Sequence, residues 1–116
     1  MSTVLVVEDE ALVRFSICEE LASQGYVVLA ATNADEAIEI LESRADISTV
    51  FTDIEMPGSM DGLKLAAAVR DRWPPINIIV TSGKGRPGQA QLPKNTQFVE
   101  KPYQSADILT AFRAFI

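Results

Sequence analysis

The chain alternates between short apolar runs and stretches of helical periodicity, and this alternation restricts the possible folds more than any other feature. The runs are "TVLVV" at 3–7, "YVVLAA" at 26–31, "STVFT" at 48–52, "INIIVT" at 76–81 and "TQFV" at 96–99. Residues 10–23 place Val13, Ile17 and Leu21 at four-residue spacing, which is one face of a helix, and Gly25 ends it. Asn33 followed three residues later by Glu36 predicts a capped second helix, with Ala37, Ile38 and Leu41 as its inner stripe. Residues 61–73 read as a third helix closed by Pro74 and Pro75, and 105–115 as a last one with Ile108, Leu109 and Phe112 facing inward. Strands and helices in this rhythm predict an α/β fold, a parallel sheet with helices on both faces. The unbroken runs "VLVV" and "INIIV" suit strands covered on both sides. A length of 116 residues suits one domain, 1–116, and no repeat, linker or low-complexity tract marks a second module.

One interval breaks the pattern. Where a crossover helix is due between the fourth and fifth strands, residues 83–95 read "GKGRPGQAQLPKN". An interior Gly costs a helix about 1 kcal/mol and an interior Pro about 3 kcal/mol. A loop with at most one helical turn is expected, so the fourth helix should be short or missing.

Composition removes several chemistries. The chain has no histidine, so it has no Ser–His dyad, no His-ligated zinc and no histidine base. Any phosphohistidine involved would belong to another protein. A formal charge of −6 argues against holding nucleic acid, which needs clustered Lys and Arg, and favours protein partners. No apolar run approaches the roughly 20 residues of a membrane helix, and there is no secretory leader. Cys18, the one cysteine, excludes an internal disulfide and fits a reducing compartment. A soluble cytoplasmic protein with no membrane contact is the expectation.

In a parallel sheet all strands end at one edge, so residues just past them meet in space. Here these are Glu8 and Asp9, then Asp53, then Ser82, then Glu100 and Lys101. Two like charges about 4 Å apart repel by roughly 4 kcal/mol at an effective dielectric near 20. That is a large part of the roughly 5–15 kcal/mol by which a domain is stable. Either the acids keep apart or a cation sits among them, and carboxylates with a carbonyl and water suit Mg²⁺. The acids of "EDE" would also suit the positive end of a helix, but Asp53 arrives from a different strand and favours the shared ion. An ammonium and a hydroxyl facing such a centre suit the oxygens of a phosphoryl group, with Asp53 as nucleophile. Taken singly, Lys101 is equally a salt-bridge partner for Asp53, and "TSG" a polar turn.

The segments "VVEDE" (6–10), "FTDIEMPG" (51–58), "DG" (61–62), "TSG" (81–83) and "FVEKPY" (98–103), in this order, resemble the receiver domain of two-component response regulators, the CheY-like superfamily. The resemblance spans essentially the whole chain. It implies a flavodoxin-like, doubly wound five-stranded sheet in the order 2-1-3-4-5, for which flavodoxin and the chemotaxis regulator are the type examples. It implies Asp53 as phospho-acceptor and Mg²⁺ held by the carboxylates of Asp9 and Asp53, the backbone carbonyl of Glu55 and, through water, Glu8. Lys101 would pair with the phosphoryl group, and the peptide before Pro102 would be cis. Ser82, ahead of the less well placed Thr81, would be the switch hydroxyl. Phe98 would be the aromatic that turns inward when Ser82 moves, unless it is an ordinary core residue.

The donor implied is a histidine kinase or histidine phosphotransfer protein, docking near Leu12, Arg14 and Phe15 and against Pro102 and Tyr103. Output would pass by contact to a downstream protein, or the domain would drain phosphate. It would be a phospho-acceptor that assists its own phosphorylation and dephosphorylation rather than an enzyme.

Two features depart from the family pattern: "MPGSMDG" has one residue more than the commonest spacing, and the missing fourth helix alters the usual output face. Two alternatives stand beside this reading. One is a pseudo-receiver that binds partners without phosphorylation. The other is an Mg²⁺-dependent aspartyl phosphatase of the haloacid-dehalogenase type, which wants a second Asp followed by Gly-Thr where this chain has Glu55, Met56 and Pro57. "SGKG" lacks the spacing of a nucleotide-binding loop.

Overall fold

The apolar runs pair side by side, as the alternation predicts. A computed structural model describes residues 2–58, 60–84, 87–88 and 92–115. In chain order the elements are β1 (Thr3–Val7), α1 (Ala11–Ser23), β2 (Val27–Ala31), α2 (Ala34–Ser43), β3 (Ile47–Asp53), α3 (Gly62–Arg72), β4 (Asn77–Ser82), β5 (Thr96–Glu100) and α4 (Ser105–Arg113). The five strands form one sheet in the order β2-β1-β3-β4-β5. Every pairing is parallel. β3 and β4 each run one residue further than the apolar pattern suggests, so Asp53 and Ser82 are the last residues of their strands.

Successive strand side chains point to opposite faces, and this divides the core into two layers. Leu5, Val7, Val50, Ile78 and Val80 pack toward Ala37 and Leu41 of α2 and Leu65 and Val69 of α3. Val4, Val6, Phe51, Ile79 and Val99 pack toward Ile17 and Leu21 of α1 and Ile108 and Phe112 of α4. Each fully buried aliphatic side chain stabilises by roughly 1.5–3 kcal/mol, so the two layers fix where the strands end. Leu109 departs from expectation: it is half-buried, and Ala111 takes the core position. At 3.6 residues per turn 108, 111 and 112 share a face, while 109 lies about 100° away.

The helix starts follow from local chemistry. Asn33 accepts the Glu36 N–H at 2.8 Å, as expected of a cap, but the Glu36 carboxylate accepts from Thr32 N–H at 3.0 Å instead of from Asn33. Asp61 caps α3 by accepting the Lys64 N–H at 2.9 Å. Gly62 beside it is required sterically, because a Cβ there would lie 2.0 Å from the backbone oxygen of Asp53. The "DG" pair thus starts α3 and lets it press against the end of β3.

Between β4 and β5 the described residues contain no helix. Residues 85, 86 and 89–91 of the expected 83–95 loop lie outside the described residues. Arg70 of α3 anchors the far end of that segment. Its guanidinium donates to the carbonyl oxygens of Lys94 at 2.9 Å, Ile76 at 2.9 Å and Asn95 at 3.3 Å, and also to that of Pro74. Leu92 packs onto the core of the α2–α3 layer.

Two substitutions test these contacts. Gly62→Ala forces α3 off the end of β3 and is expected to lower stability by roughly 1–3 kcal/mol, read as a shift in the urea unfolding midpoint at unchanged slope. Arg70→Lys keeps the charge but loses the planar fork; amide exchange at residues 94–95 is expected to speed up while that of β1 and β3 stays unchanged.

Candidate functional site

The carboxyl edge of the sheet gathers the acids. β1 leads directly into Glu8, which is 1% exposed, and β3 ends in Asp53, which is 4% exposed, while Asp9 faces solvent. One carboxylate oxygen from each of the three lies within 4.8 Å of the other two. From β5 comes Lys101, whose Nζ reaches Asp53 Oδ2 at 2.9 Å and Glu8 Oε1 at 3.4 Å. Backbone bonds beyond the strands hold these residues in place: Ile54 N–H donates to Thr81 O at 2.8 Å and Lys101 N–H to Ser82 O at 3.0 Å. The peptide between Lys101 and Pro102 is cis.

The electrostatics follow from burial. Desolvation pushes the Glu8 carboxyl up to about 7; a hydrogen bond from Glu10 N–H opposes this and the charge of Asp53 adds to it. Burial works against the Lys101 ammonium, but the hydrogen bond and charge of Asp53, with Glu8 behind it, outweigh burial and hold its pKa well above the ordinary range. Lys101 offsets only one of three clustered carboxylates. A hard divalent cation with oxygen ligands fits the remainder, and this donor set, all carboxylate oxygen, is of the kind that Mg²⁺ takes.

Ser82 is 2% exposed and is held by Glu55. Its Oγ donates to Glu55 Oε2 at 2.6 Å, the other Glu55 oxygen accepts Gly83 N–H at 3.1 Å, and Lys84 N–H donates to Ser82 Oγ at 3.0 Å. Glu55 N–H in turn donates to Asp53 Oδ1 at 3.3 Å. The family resemblance implies a role for Glu55 through its carbonyl; its side-chain grip on Ser82 becomes visible only once the register sets Asp53 opposite Thr81. Thr81 is fully buried with its hydroxyl unpartnered. Phe98 is half-buried against the α2–α3 layer and lies opposite Val80 in the β4–β5 register, two residues before Ser82.

The expected docking residues fall in two places. Leu12, 85% exposed, lines a hollow of about 600 Å³ with Ser16, Ile17, Lys101, Pro102 and Tyr103. Phe15, 63% exposed, lines a neighbouring hollow with Arg14, Cys18 and Val28. Arg14 also serves the site, donating to Glu8 O at 2.8 Å and Asp9 O at 3.4 Å. Tyr103 sets its ring edge against Phe51, 6.1 Å between centroids, and burial pushes its hydroxyl up to about 12. Among the described residues no helix is long and apolar enough to cross a membrane.

Known proteins are similar to this chain in sequence and in fold. A sequence model described as response regulator receiver domain matches residues 4–113. Sensor kinase CckA of Brucella abortus is 34% identical across 99% of this chain, which spans 12% of that protein; the chain spans 23% of the response regulator FleR of Pseudomonas aeruginosa. A receiver protein of Sinorhizobium medicae superposes with a TM-score of 0.87 at 30% identity, covering 97% of this chain and 92% of that one. TrrA of Thermotoga maritima, crystallised with Mg²⁺ and a beryllium fluoride, gives a TM-score of 0.87 at 28% identity over the full length of both chains. TrrA in complex with the histidine kinase ThkA gives 0.86 at 28%, over 100% of this chain and 99% of TrrA. A 2-1-3-4-5 sheet with its acids at the carboxyl edge and a family match running almost end to end lead to one conclusion: the chain belongs to the response regulator receiver domain family of two-component systems.

Proposed function

We propose that residues 1–116 act as one receiver unit that takes a phosphoryl group onto Asp53 from the phosphohistidine of a partner kinase or phosphotransfer protein, with Mg²⁺ bound at Asp9, Asp53, the Glu55 carbonyl and, through water, Glu8. The observation that carries this reading is the joint placement of Asp53, Glu8 and Asp9 within 4.8 Å of one another under a single ammonium, Lys101. A carboxylate bound only for structure would gain nothing from two more beside it.

In the transfer an Asp53 carboxylate oxygen forms the new O–P bond as the N–P bond of the donor breaks, and the released imidazole takes up a proton. The donor comes from outside because this chain has no histidine. Bound Mg²⁺ supplies charge compensation for the phosphoryl oxygens. Lys101 already touches the nucleophile at 2.9 Å and is placed to pair with the incoming group. Ser82 then turns its hydroxyl toward the acyl phosphate and Phe98 follows, shifting a two-state equilibrium. The exposed Leu12 and Phe15, with Pro102 and Tyr103, form the docking surface for the donor. TrrA, which its name describes in complex with a histidine kinase, supports a partner of this kind. Output goes to a downstream protein by contact rather than to nucleic acid, in keeping with the charge of −6. The domain is an acceptor rather than a turnover enzyme, and it works in the cytoplasm.

Incubation with acetyl phosphate and Mg²⁺, read by intact mass, is expected to give a single phosphoryl adduct that disappears in Asp53→Asn or when the metal is chelated. A wild-type protein that never gains the adduct would make this a phosphorylation-independent module. Mg²⁺ alone, at about 100 times its dissociation constant, is expected to add about 2.7 kcal/mol of stability, read as a raised thermal midpoint. Asp9→Asn should lose most of that gain.

A further inference from the structure

We infer that Glu55 is a latch that holds the switch hydroxyl in its resting position, so that its carboxylate and the phosphoryl group compete for one proton. The inference rests on the receiver reading of Asp53 and Ser82. Its starting point is a count of donors. A serine hydroxyl has one proton to give. In this structure Ser82 Oγ gives it to Glu55 Oε2 at 2.6 Å, a short bond to a charged acceptor, and Lys84 N–H occupies a lone pair of the same oxygen at 3.0 Å. Ser82 is 2% exposed, so bulk water is not at hand to replace a lost partner.

The grip is two-pronged. The second Glu55 oxygen accepts Gly83 N–H at 3.1 Å, which ties the loop after β3 to the loop after β4. Glu55 is itself fixed at its backbone, where its N–H donates to Asp53 Oδ1 at 3.3 Å. The chain therefore links phospho-acceptor, latch and switch: Asp53 to Glu55, Glu55 to Ser82. Once a phosphoryl group stands on Asp53, Ser82 can donate to it only after leaving Glu55. The added negative charge beside the Glu55 carboxylate favours that exchange, while the charge-assisted bond being broken opposes it. Glu55 thus sets how much of the phosphoryl group's binding energy is spent on the switch. It is a positioning residue, acting through Ser82.

Titration with beryllium fluoride and Mg²⁺, a phosphoryl mimic, tests this when followed by amide NMR on the wild type, Glu55→Ala, Ser82→Ala and the double variant. Glu55→Ala keeps the backbone carbonyl and removes the grip, and is expected to bind the mimic about tenfold more tightly, which corresponds to about 1.4 kcal/mol. In the Ser82→Ala background the same substitution is expected to give a clearly smaller gain, because only the relief of charge repulsion is left. An equal gain in both backgrounds would mean that Glu55 acts by charge repulsion alone, and no gain in either would mean no latch; both overturn the inference. A second measurement needs no phosphoryl group. The Gly83 amide resonance should move in resting Glu55→Ala, and an unmoved Gly83 refutes the contact itself. If the wild type fails to bind the mimic while Gly83 moves as stated, the failure belongs to the receiver reading and not to the contact.

Discussion

The ammonium of Lys101, set between Glu8 and Asp53, is the contact on which the carboxyl edge of this sheet depends. β1 and β3 are neighbours in the sheet, and the core that buries them leaves no freedom for their ends to separate. Glu8 and Asp53 are thus forced into proximity by residues such as Val6 and Phe51, which have no part in the chemistry. Burial is the main cause of a Glu8 carboxyl raised to about 7, and the charge of Asp53 beside it adds to the shift. Removing one partner of a buried ionic group leaves an uncompensated charge, so Lys101 matters for the resting protein before any phosphate arrives. The same crowding is what the proposed cation would relieve: three acids gathered at one edge are poor as a structural device and suit a site for a divalent ion.

The sheet order brings the second half of the site into range. Because β4 lies beside β3, the register that sets Asp53 opposite Thr81 also puts the turn after Asp53 alongside the turn after Ser82. Two loops separated by 27 residues then share a carboxylate, Glu55. Lys101 arrives from β5, one strand further, and its own backbone bonds to Ser82 O. Ser82 is therefore flanked by the Asp53–Glu55 loop on one side and by the Lys101 backbone on the other.

Much of this was legible in the sequence, and the reasons differ by element. Apolar runs and helical periodicity bounded by Gly, Pro and Asn placed both ends of eight elements, and the start of α2, to within about two residues, because periodicity and breakers act locally. The meeting of Glu8, Asp9, Asp53, Ser82 and Lys101 could be read from topology, since parallel strands share an edge; the same reading put Glu100 there too, and it is exposed and outside the acidic cluster. Contacts that depend on side-chain rotamers across loops could not. Nothing local tells that Glu55 turns toward Ser82, that Glu36 caps Thr32 instead of Asn33, or that Arg70 gathers carbonyl oxygens from the residues before β4 and from those before β5. Leu109 is a different kind of case: apolar composition suggested a core residue, and helix geometry gave the place to Ala111. Gly62 shows what a dipeptide can conceal, since its close approach to Asp53 O is a matter of how α3 is packed and not of turn chemistry.

The resting site has few idle groups. Asp53 Oδ2 is taken by Lys101, Oδ1 by Glu55 N–H, and the Ser82 hydroxyl by the Glu55 side chain. A phosphoryl group entering such a site, as proposed, would exchange partners instead of filling vacancies: Lys101 would pass from a carboxylate oxygen to a phosphoryl oxygen, Ser82 from one anion to another. Exchanges of like for like change free energy by little, because each new bond replaces one of similar strength. Under the proposed function such a switch would sit near balance, where one acyl phosphate could supply the differential interaction that tips it. The proposed function then asks little of the rigid sheet: the strands would stay where the core puts them, and the hydrogen-bond partners at their ends would change.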